Sequence, residues 1–299
     1  MNLNHLRLFA AAAAEGSISA AAARLRLSQP ALSKQIRELE QALGAPLLER
    51  AARGVVATEA GAVLAGYARQ IFGLEEEAGR ALAELRDVTR GRLRLGASLT
   101  IGVYLLPRLL AASRRRWPGL EIAVEIENTD RIQQALAEHR LDLGMTEGPG
   151  RRDAELDQRV FQQDELVVIA APRHPARATL PQLARQPWVM REPGSGTRAV
   201  VEQALAAHGL SVAAAWTFND PEAIKRAVMA DCGVALVPRI TVEDELASRR
   251  LQRVAVPRLQ ARRALRLQWR KGRAPSAAMA AFSDLVSEKA KARGTRAGS

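Results

Sequence analysis

Apolar residues near the amino terminus recur at helical spacing. Between residues 29 and 43 they return every three or four positions and form one stripe: Leu32, Ile36, Leu39 and Leu43. Ser28 can accept a hydrogen bond from the first turn of such a helix, and Pro30 in that turn removes no intrahelical hydrogen bond. Further helical segments over 3–15 and 19–25 precede it. The pattern predicts three helices, the last two joined by a tight turn.

The opposite face of the third helix is polar, with its cationic groups near the beginning. It carries Gln29, Ser33, Lys34 and Arg37. Amide and guanidinium groups can hydrogen-bond to base edges in a major groove, while cations contact phosphates. We therefore predict that this helix reads double-stranded DNA, with Gln29, Ser33 and Arg37 at the bases and Lys34 at the backbone. A helical hairpin with an ordinary solvated face is the alternative.

A short hairpin, or wing, is predicted after Gly44, which suits the left-handed end of a helix. Extended segments at 46–50 and 55–57 flank a turn that contains Arg53 and Gly54. Arg50 and Arg53 would meet the phosphate backbone, although surface arginines on a turn are the plainer interpretation. The predicted DNA-binding residues are Ser28, Gln29, Pro30, Ser33, Lys34, Arg37, Arg50 and Arg53.

A long helix is predicted to follow from Thr58, a good cap, to about residue 90. Its apolar residues alternate at three and four positions: Leu64, Tyr67, Ile71, Leu74, Ala78, Ala81, Leu85 and Val88. A seam of this kind is typical of a coiled coil, so we predict a homodimer formed through this linker helix. Packing of the helix against its own domain is the alternative.

From residue 92 the pattern changes to alternating strands and helices. A βαβαβ unit over 93–145 includes a helix over 101–115 and a strand over 121–127. A second α/β set follows, with strands over 165–171, 214–218 and 251–256 and a helix over 221–229. This order predicts two lobes joined by crossing strands with a cleft between them. The predicted domains are 1–58 for DNA binding, 59–90 for the linker helix and 91–299 for ligand binding. Within the last, lobe one covers about 91–161 and 266–299, and lobe two about 162–265.

Polar residues stand at the strand-to-helix junctions that should face this cleft. Hydroxyl and amide donors at helix starts favour a small, anionic ligand, although simple helix capping is the alternative for each hydroxyl. The carboxylates and the asparagine among them lie just past predicted strands and are weaker candidates. The candidate set is Ser98, Leu99, Thr100, Ile101, Thr129, Glu147, Ser195, Gly196, Thr197, Asn219 and Asp220.

The net charge of +12 supports an acidic partner only weakly, because of where it lies. Residues 1–90 hold eleven Lys or Arg and ten Asp or Glu, so the surplus belongs to the carboxyl-terminal part. There, the basic stretch 249–273 contains no acidic residue. We interpret its alternating arginines as the solvated face of a strand, with an electrostatic ligand or subunit contact as the alternative.

Other classes of protein fit the sequence less well. No apolar run approaches the ~20 residues of a membrane span, so we expect a cytoplasmic protein with no membrane partner. One cysteine excludes an internal disulfide, and four scattered histidines lack metal-ligand spacing. Ser195 lacks the glycines of a nucleophile elbow, so we predict no catalytic residue, metal or cofactor. A transport-type binding protein would account for 92–270 but not for the first ninety residues.

Read as a whole, the chain resembles LysR-type transcriptional regulators. The resemblance is carried by 6–9 in the first helix, by the block 19–43 with its Leu27–Ser33 motif, and by Gly44, Arg50, Gly54 and 58–61. The second half is similar to the branch that contains regulators of sulphur assimilation and carbon fixation. The matching segments are 96–102, 105–107, 128–129, 191–198 and 222–225.

The resemblance implies an α+β multidomain fold: a winged helix-turn-helix, a long linker helix, and a two-lobed α/β effector domain like a periplasmic binding protein. It implies a bacterial homotetramer that binds promoter DNA and activates or represses transcription in response to a small coinducer. RNA polymerase is a further partner hypothesis. In this scheme each dimer places two recognition helices in successive major grooves, and effector binding changes the arrangement of the subunits.

Overall fold

A computed structural model describes residues 1–51, 54–84, 91–148, 155–273 and 275–296. The chain divides into two compact units. One is Met1–Leu82 with Glu138–Arg140, and the other is Ala83–Ala137 with Leu141–Ser299.

The first unit begins with three helices, α1 (Leu3–Glu15), α2 (Ile18–Arg24) and α3 (Gln29–Leu43). The apolar stripe of α3 is buried at Leu32, Ile36 and Leu39, which pack with α1. Leu43 does not continue the stripe, because it is 41% exposed at the end of the helix. The Ser28 hydroxyl accepts from the Ala31 amide at 3.3 Å, and Gly44 ends the helix with φ 69°, as predicted.

The predicted wing is an antiparallel hairpin of β1 (Leu48–Ala51) and β2 (Gly54–Ala57). A hydrogen bond connects this hairpin to the turn between α1 and α2, since the Val55 amide donates to the Gly16 carbonyl at 2.9 Å. Gly54 has φ 96°, and a Cβ there would collide with that same carbonyl, so the close approach requires glycine. Arg53 lies outside the described residues.

The long helix α4 (Glu59–Glu84) divides its apolar residues between two directions. Leu64, Ala68 and Ile71 pack on the core of the first unit, so the alternative of packing against its own domain holds for this face. Tyr67 and Leu74 point outward and are 61% and 54% exposed. Of the remaining predicted seam, Ala78 is exposed, while the Ala81 side chain, Leu85 and Val88 lie outside the described residues.

The second unit alternates strands and helices. In chain order it contains β3 (Arg92–Ser98), α5 (Leu99–Tyr104), α6 (Leu106–Arg116), β4 (Glu121–Glu127), α7 (Thr129–Ala137), β5 (Leu143–Glu147), β6 (Leu156–Ala170), α8 (Leu180–Ala184), β7 (Trp188–Arg191), α9 (Gly196–Ala206), β8 (Ala214–Phe218), α10 (Pro221–Met229), β9 (Ala235–Pro238), α11 (Glu243–Ala247), β10 (Gln252–Arg253), β11 (Arg262–Arg270) and α12 (Ala277–Arg296). A 3-10 turn, Arg239–Thr241, lies between β9 and α11.

Its side chains pack around separate hydrophobic cores, which define two lobes. The core of lobe one joins Leu93 and Leu95 of β3 to Leu143 of β5 and Phe282 of α12. In lobe two, successive residues of β6 face opposite cores, because helices cover both sides of the strand.

Two long antiparallel strands, β6 and β11, connect the lobes. Their pairing extends from Arg262 opposite Glu165 to Arg270 opposite Leu156. Beside them, β5, β3 and β4 run parallel to one another in lobe one, while β9 and β10 pair with β6 in lobe two. The carboxyl ends of β3 and β5 therefore emerge at one sheet edge.

Three elements differ from the sequence prediction. The helix predicted over 101–115 is broken at Leu105, because Pro107 in the first turn of α6 cannot extend the hydrogen bonds of α5. The strand predicted from residue 165 begins at Leu156, since its polar first half is held by pairing with β11 rather than by burial. The strand predicted over 251–256 has only two residues, Gln252 and Arg253.

Candidate functional site

The polar face of α3 is open to solvent. Gln29, Lys34 and Arg37 are exposed and Ser33 is half-buried. Lys34 lies 3.8 Å from the Glu38 carboxylate, a loose surface pair that leaves its ammonium free to contact phosphate. Arg50 is exposed on β1 and Pro30 on the first turn of α3, while the Ser28 hydroxyl is engaged as the helix cap.

The second candidate site begins at the carboxyl ends of two neighbouring parallel strands. Ser98 is the last residue of β3 and Glu147 the last of β5, and both are buried. The Ser98 hydroxyl donates to one oxygen of the Glu147 carboxylate. Lobe one therefore places the Glu147 carboxylate toward lobe two. The Ser98 hydroxyl, which was expected to donate to a ligand, donates to this carboxylate instead.

Lobe two meets this carboxylate with the first turn of α9. The Thr197 hydroxyl donates to Glu147 Oε1 at 3.3 Å, and Ser195 caps the helix by accepting from the Arg198 amide at 3.4 Å. A Cβ at Gly196 would collide with the Glu147 carbonyl oxygen and the Thr129 hydroxyl. Glycine at this position therefore lets the lobes touch, and the Glu147 side chain lies at the positive end of the helix.

Arg263 of β11 completes the cluster, and sequence reasoning missed it. Its Nη1 lies 2.7 Å from Thr197 Oγ1 and 3.4 Å from Glu147 Oε1, and its Nη2 lies 2.8 Å from Asp164 Oδ2 on β6. Its side chain is fully buried, so the interpretation of these arginines as a solvated face is wrong for Arg263. The available signal was the two-residue period that it shares with the buried Leu265 and Leu267.

A small cavity adjoins the cluster. Thr100 and Thr197 line it together with mainly apolar residues of lobe two, and its volume of about 20 Å³ admits about one water molecule. Arg191 and Arg198 also line it, and their charges are paired with Glu192 and Glu202, each at 2.7 Å. The Thr100 side chain is buried, and its hydroxyl has no hydrogen-bond partner in the described part of the chain. The site thus holds a donor group that its own side chains leave unused.

The remaining candidate residues for effector binding differ in how far they are buried. Thr129 joins the cluster, because its hydroxyl donates to the Glu147 carbonyl at 3.3 Å. Leu99 is half-buried, and the Ile101 side chain belongs to the hydrophobic core of lobe one, so only its backbone could contact a ligand. Asn219 and Asp220 are exposed, and Asp220 caps α10 by accepting from the Glu222 amide at 2.9 Å.

A second polar contact joins the lobes away from Glu147. The Tyr104 hydroxyl of α5 bonds to Glu222 of α10, and the buried Lys225 ammonium lies 2.7 Å from Glu222 and 3.0 Å from Glu245. Burial and the hydrogen bond to Glu222 raise the pKa of Tyr104 to about 12. Burial opposes ionisation of Glu222, but hydrogen bonds from Lys225 and Tyr104 hold its pKa below the usual value.

Across the described ranges, no group of three or more His, Cys, Asp or Glu side chains is arranged to hold a metal ion. None of the helices described is both long enough and apolar enough to cross a membrane.

Comparison with known proteins agrees with this architecture. Residues 3–62 match the bacterial regulatory helix-turn-helix protein, lysR family, and residues 86–291 match the LysR substrate binding domain. The RuBisCO operon transcriptional regulator of Allochromatium vinosum is 36% identical over 290 residues, which cover 96% of this chain and 95% of the relative.

Two solved structures extend the comparison. The regulatory domain of Synechocystis PCC6803 CcmR, in complex with 2-PG, is 27% identical with a TM-score of 0.62, and the match covers 67% of this chain and 97% of that domain. Full-length CbnR, complexed with its target DNA, has a TM-score of 0.69 at 23% identity over 96% of this chain and 99% of its own, which shows the shared fold. With a helix-turn-helix followed by an effector-binding domain, the chain belongs to the LysR family of transcriptional regulators and is not an enzyme.

Proposed function

We propose that this regulator binds promoter DNA through α3 and the wing as a homodimer, and that a small anion between the two lobes controls its activity. The observation that supports an anion is the Glu147 cluster, where buried hydroxyls and a guanidinium already surround an oxyanion. CcmR, a relative of this domain, binds 2-PG, and the relation to a RuBisCO operon regulator favours promoters of carbon fixation.

Contacts to DNA are assigned by the chemistry of each side chain. Gln29, Ser33 and Arg37 are proposed to contact base edges, and Lys34 and Arg50 the phosphates. Pro30 and Ser28 place the start of α3 against the backbone, and Arg53 remains a predicted phosphate contact. The proposed assembly is a homotetramer of two linker-helix dimers in the bacterial cytoplasm, in contact with RNA polymerase, as the resemblance implies.

The experiment compares Arg37→Ala with Lys34→Ala on operator and scrambled duplexes over a range of salt concentrations. Arg37→Ala should lose about 1–3 kcal/mol of preference at one base position, because a bidentate base contact disappears. Lys34→Ala should weaken binding to both duplexes and reduce the salt slope by about 1, since one phosphate contact is lost. An unchanged sequence preference in Arg37→Ala would refute the assignment of that residue to base reading.

A further inference from the structure

We propose that the Glu147 carboxylate is a counter-ion attached to the chain, which occupies the anion position between the lobes in the ligand-free protein. An anionic effector then binds by displacing it. This inference rests on the proposed function, because it requires that the effector be an anion. It adds how the two lobes are held together in the ligand-free protein.

The donors around Glu147 are those that a free oxyanion would need. Ser98 donates from lobe one, Thr197 donates from lobe two at 3.3 Å, and Arg263 lies 3.4 Å away on a strand that connects the lobes. All three side chains are buried. A carboxylate held by two hydroxyls, a guanidinium and the start of a helix has the surroundings of a bound anionic ligand.

Space excludes simultaneous occupancy by Glu147 and a ligand. The adjoining cavity of about 20 Å³ has room for a water molecule and no more. Gly196 and Gly148 are already in close contact across the lobes, since a Cβ on Gly148 would collide with the Gly196 carbonyl oxygen. With the lobes in this arrangement, a ligand larger than water must take the volume that the Glu147 side chain now fills.

Electrostatic repulsion also excludes simultaneous binding of Glu147 and an anionic ligand. Glu147 and Asp164 share the single guanidinium of Arg263, so a third anion added beside them would be repelled. Arg266 lies on the same strand, but its guanidinium donates to the carbonyls of Gly148 and Ala264 rather than to this cluster. Displacement of Glu147 keeps the charge balance around Arg263 unchanged.

The unused Thr100 hydroxyl indicates what kind of anion fits. It lines the cavity beside Thr197 and is buried without a partner among the described residues. A buried hydroxyl without a hydrogen bond is costly, so an incoming ligand that satisfies it gains affinity over the Glu147 carboxylate. A compact oxyanion with more acceptor atoms than a carboxylate, such as a sulfate or a phosphate group, meets this requirement.

The test measures binding of inorganic sulfate, inorganic phosphate and 2-PG to the full chain by calorimetry. Glu147→Gln keeps the shape of the side chain but removes its charge, so anions should bind at least about tenfold more tightly than to the wild type. Glu147→Asp serves if the first variant does not fold. The shorter Asp side chain cannot reach the hydroxyls of both Ser98 and Thr197. Its gain in anion affinity over the wild type is therefore expected to be smaller than that of Glu147→Gln.

Asp157→Asn is the matched control. It removes one carboxylate from an exposed position near the start of β6, outside the cluster, so it shows what the loss of any one negative charge does to anion binding. Its anion affinity should stay within about twofold of the wild type.

The outcomes separate the two proposals. Weaker or unchanged anion binding in both Glu147 variants, with binding by the wild type intact, overturns the counter-ion alone. Failure of the wild type and every variant to bind any of the three anions overturns the proposed anionic control and the counter-ion together. Tighter binding by Glu147→Gln and not by Asp157→Asn supports both.

Discussion

Asp142 of lobe one links two arginines, Arg94 and Arg273. Its carboxylate is buried, lies 3.0 Å from guanidinium nitrogens of both Arg94 and Arg273, and accepts from the Arg94 amide at 2.8 Å. Burial disfavours the ionised form, but the hydrogen bonds from Arg94 outweigh it and lower the pKa of Asp142. Through these bonds it holds β3 beside the chain that leads into β5.

Asp142→Asn should lower the free energy of unfolding by about 3–5 kcal/mol at neutral pH, because the half-buried Arg94 and Arg273 each lose a buried carboxylate partner. The pKa of Asp142 is lower in the folded than in the unfolded chain, so its stabilisation is complete above the unfolded value of about 3.9. It disappears as the pH falls through the folded value. Urea denaturation from pH 7 to pH 3 should show the deficit of the variant shrinking.

The exposed Asp284 on α12 provides a control for Asp142. Asp284→Asn should change the free energy of unfolding by less than about 0.5 kcal/mol at neutral pH. A deficit in Asp142→Asn that stayed constant down to pH 3 would show that the loss is not electrostatic.

At the scale of elements, the wing is positioned by one side chain of the recognition helix. Glu40 Oε1 accepts from the amides of Leu47 and Leu48 at 2.8 and 3.3 Å. Thr58 secures the other side, since its hydroxyl donates to the Pro46 carbonyl at 2.7 Å and its amide to the Leu47 carbonyl at 3.1 Å. The distance between α3 and the wing therefore depends on a few polar contacts around Leu47.

Glu40→Ala leaves two amides without an acceptor and should lower the free energy of unfolding by about 1–3 kcal/mol. DNA affinity should fall while sequence preference stays, because the wing is proposed to contact the backbone and α3 to read the bases. Melting curves and duplex titrations measure both effects. The neighbouring exposed residue supplies a control, Gln41→Ala, which should behave as the wild type. Loss of sequence preference in Glu40→Ala would mean that α3 itself had moved.

For the whole molecule, the outward stripe of α4 is the surface that needs a partner. Val63, Tyr67 and Leu74 are exposed and lie along one side of the helix, whereas Leu64, Ala68 and Ile71 on its other apolar side pack within the first unit. A continuous row of large apolar side chains in water is unfavourable, and a second copy of the same row would bury it. The homodimer is therefore proposed to form along this face.

Leu74→Glu should separate the linker-helix dimers and so lower the mass of the assembly, since it places a charge in the middle of the buried row. Light scattering on a sizing column reads out the mass, and operator affinity should fall because two DNA-binding helices no longer act together. Ala62→Glu, at another exposed position of the same helix, should keep the mass of the wild type. A Leu74→Glu protein that kept the mass of the wild type would place the dimer interface elsewhere.

Local patterns were sufficient for much of the fold and for the class of site. The bounds of α3, β4, β8 and α10 agree with the sequence prediction, because periodicity and capping are properties of neighbouring residues. The strand-to-helix junctions were found for the same reason, and Ser98, Thr129 and Thr197 do converge on Glu147. Leu43 was wrongly included in the buried stripe of α3, because its exposure depends on what packs nearby.

Amino-acid order alone specified a DNA-reading helix pair, an apolar linker helix and two α/β lobes, since each is encoded by spacing within about 30 residues. It could not specify that Arg263 would be buried or that Glu147 would occupy the anion position. Those properties arise when β5, β11 and the start of α9, which are distant in sequence, exclude water from one point. Burial and charge pairing are set by that long-range packing, and with them the proposed control of the regulator.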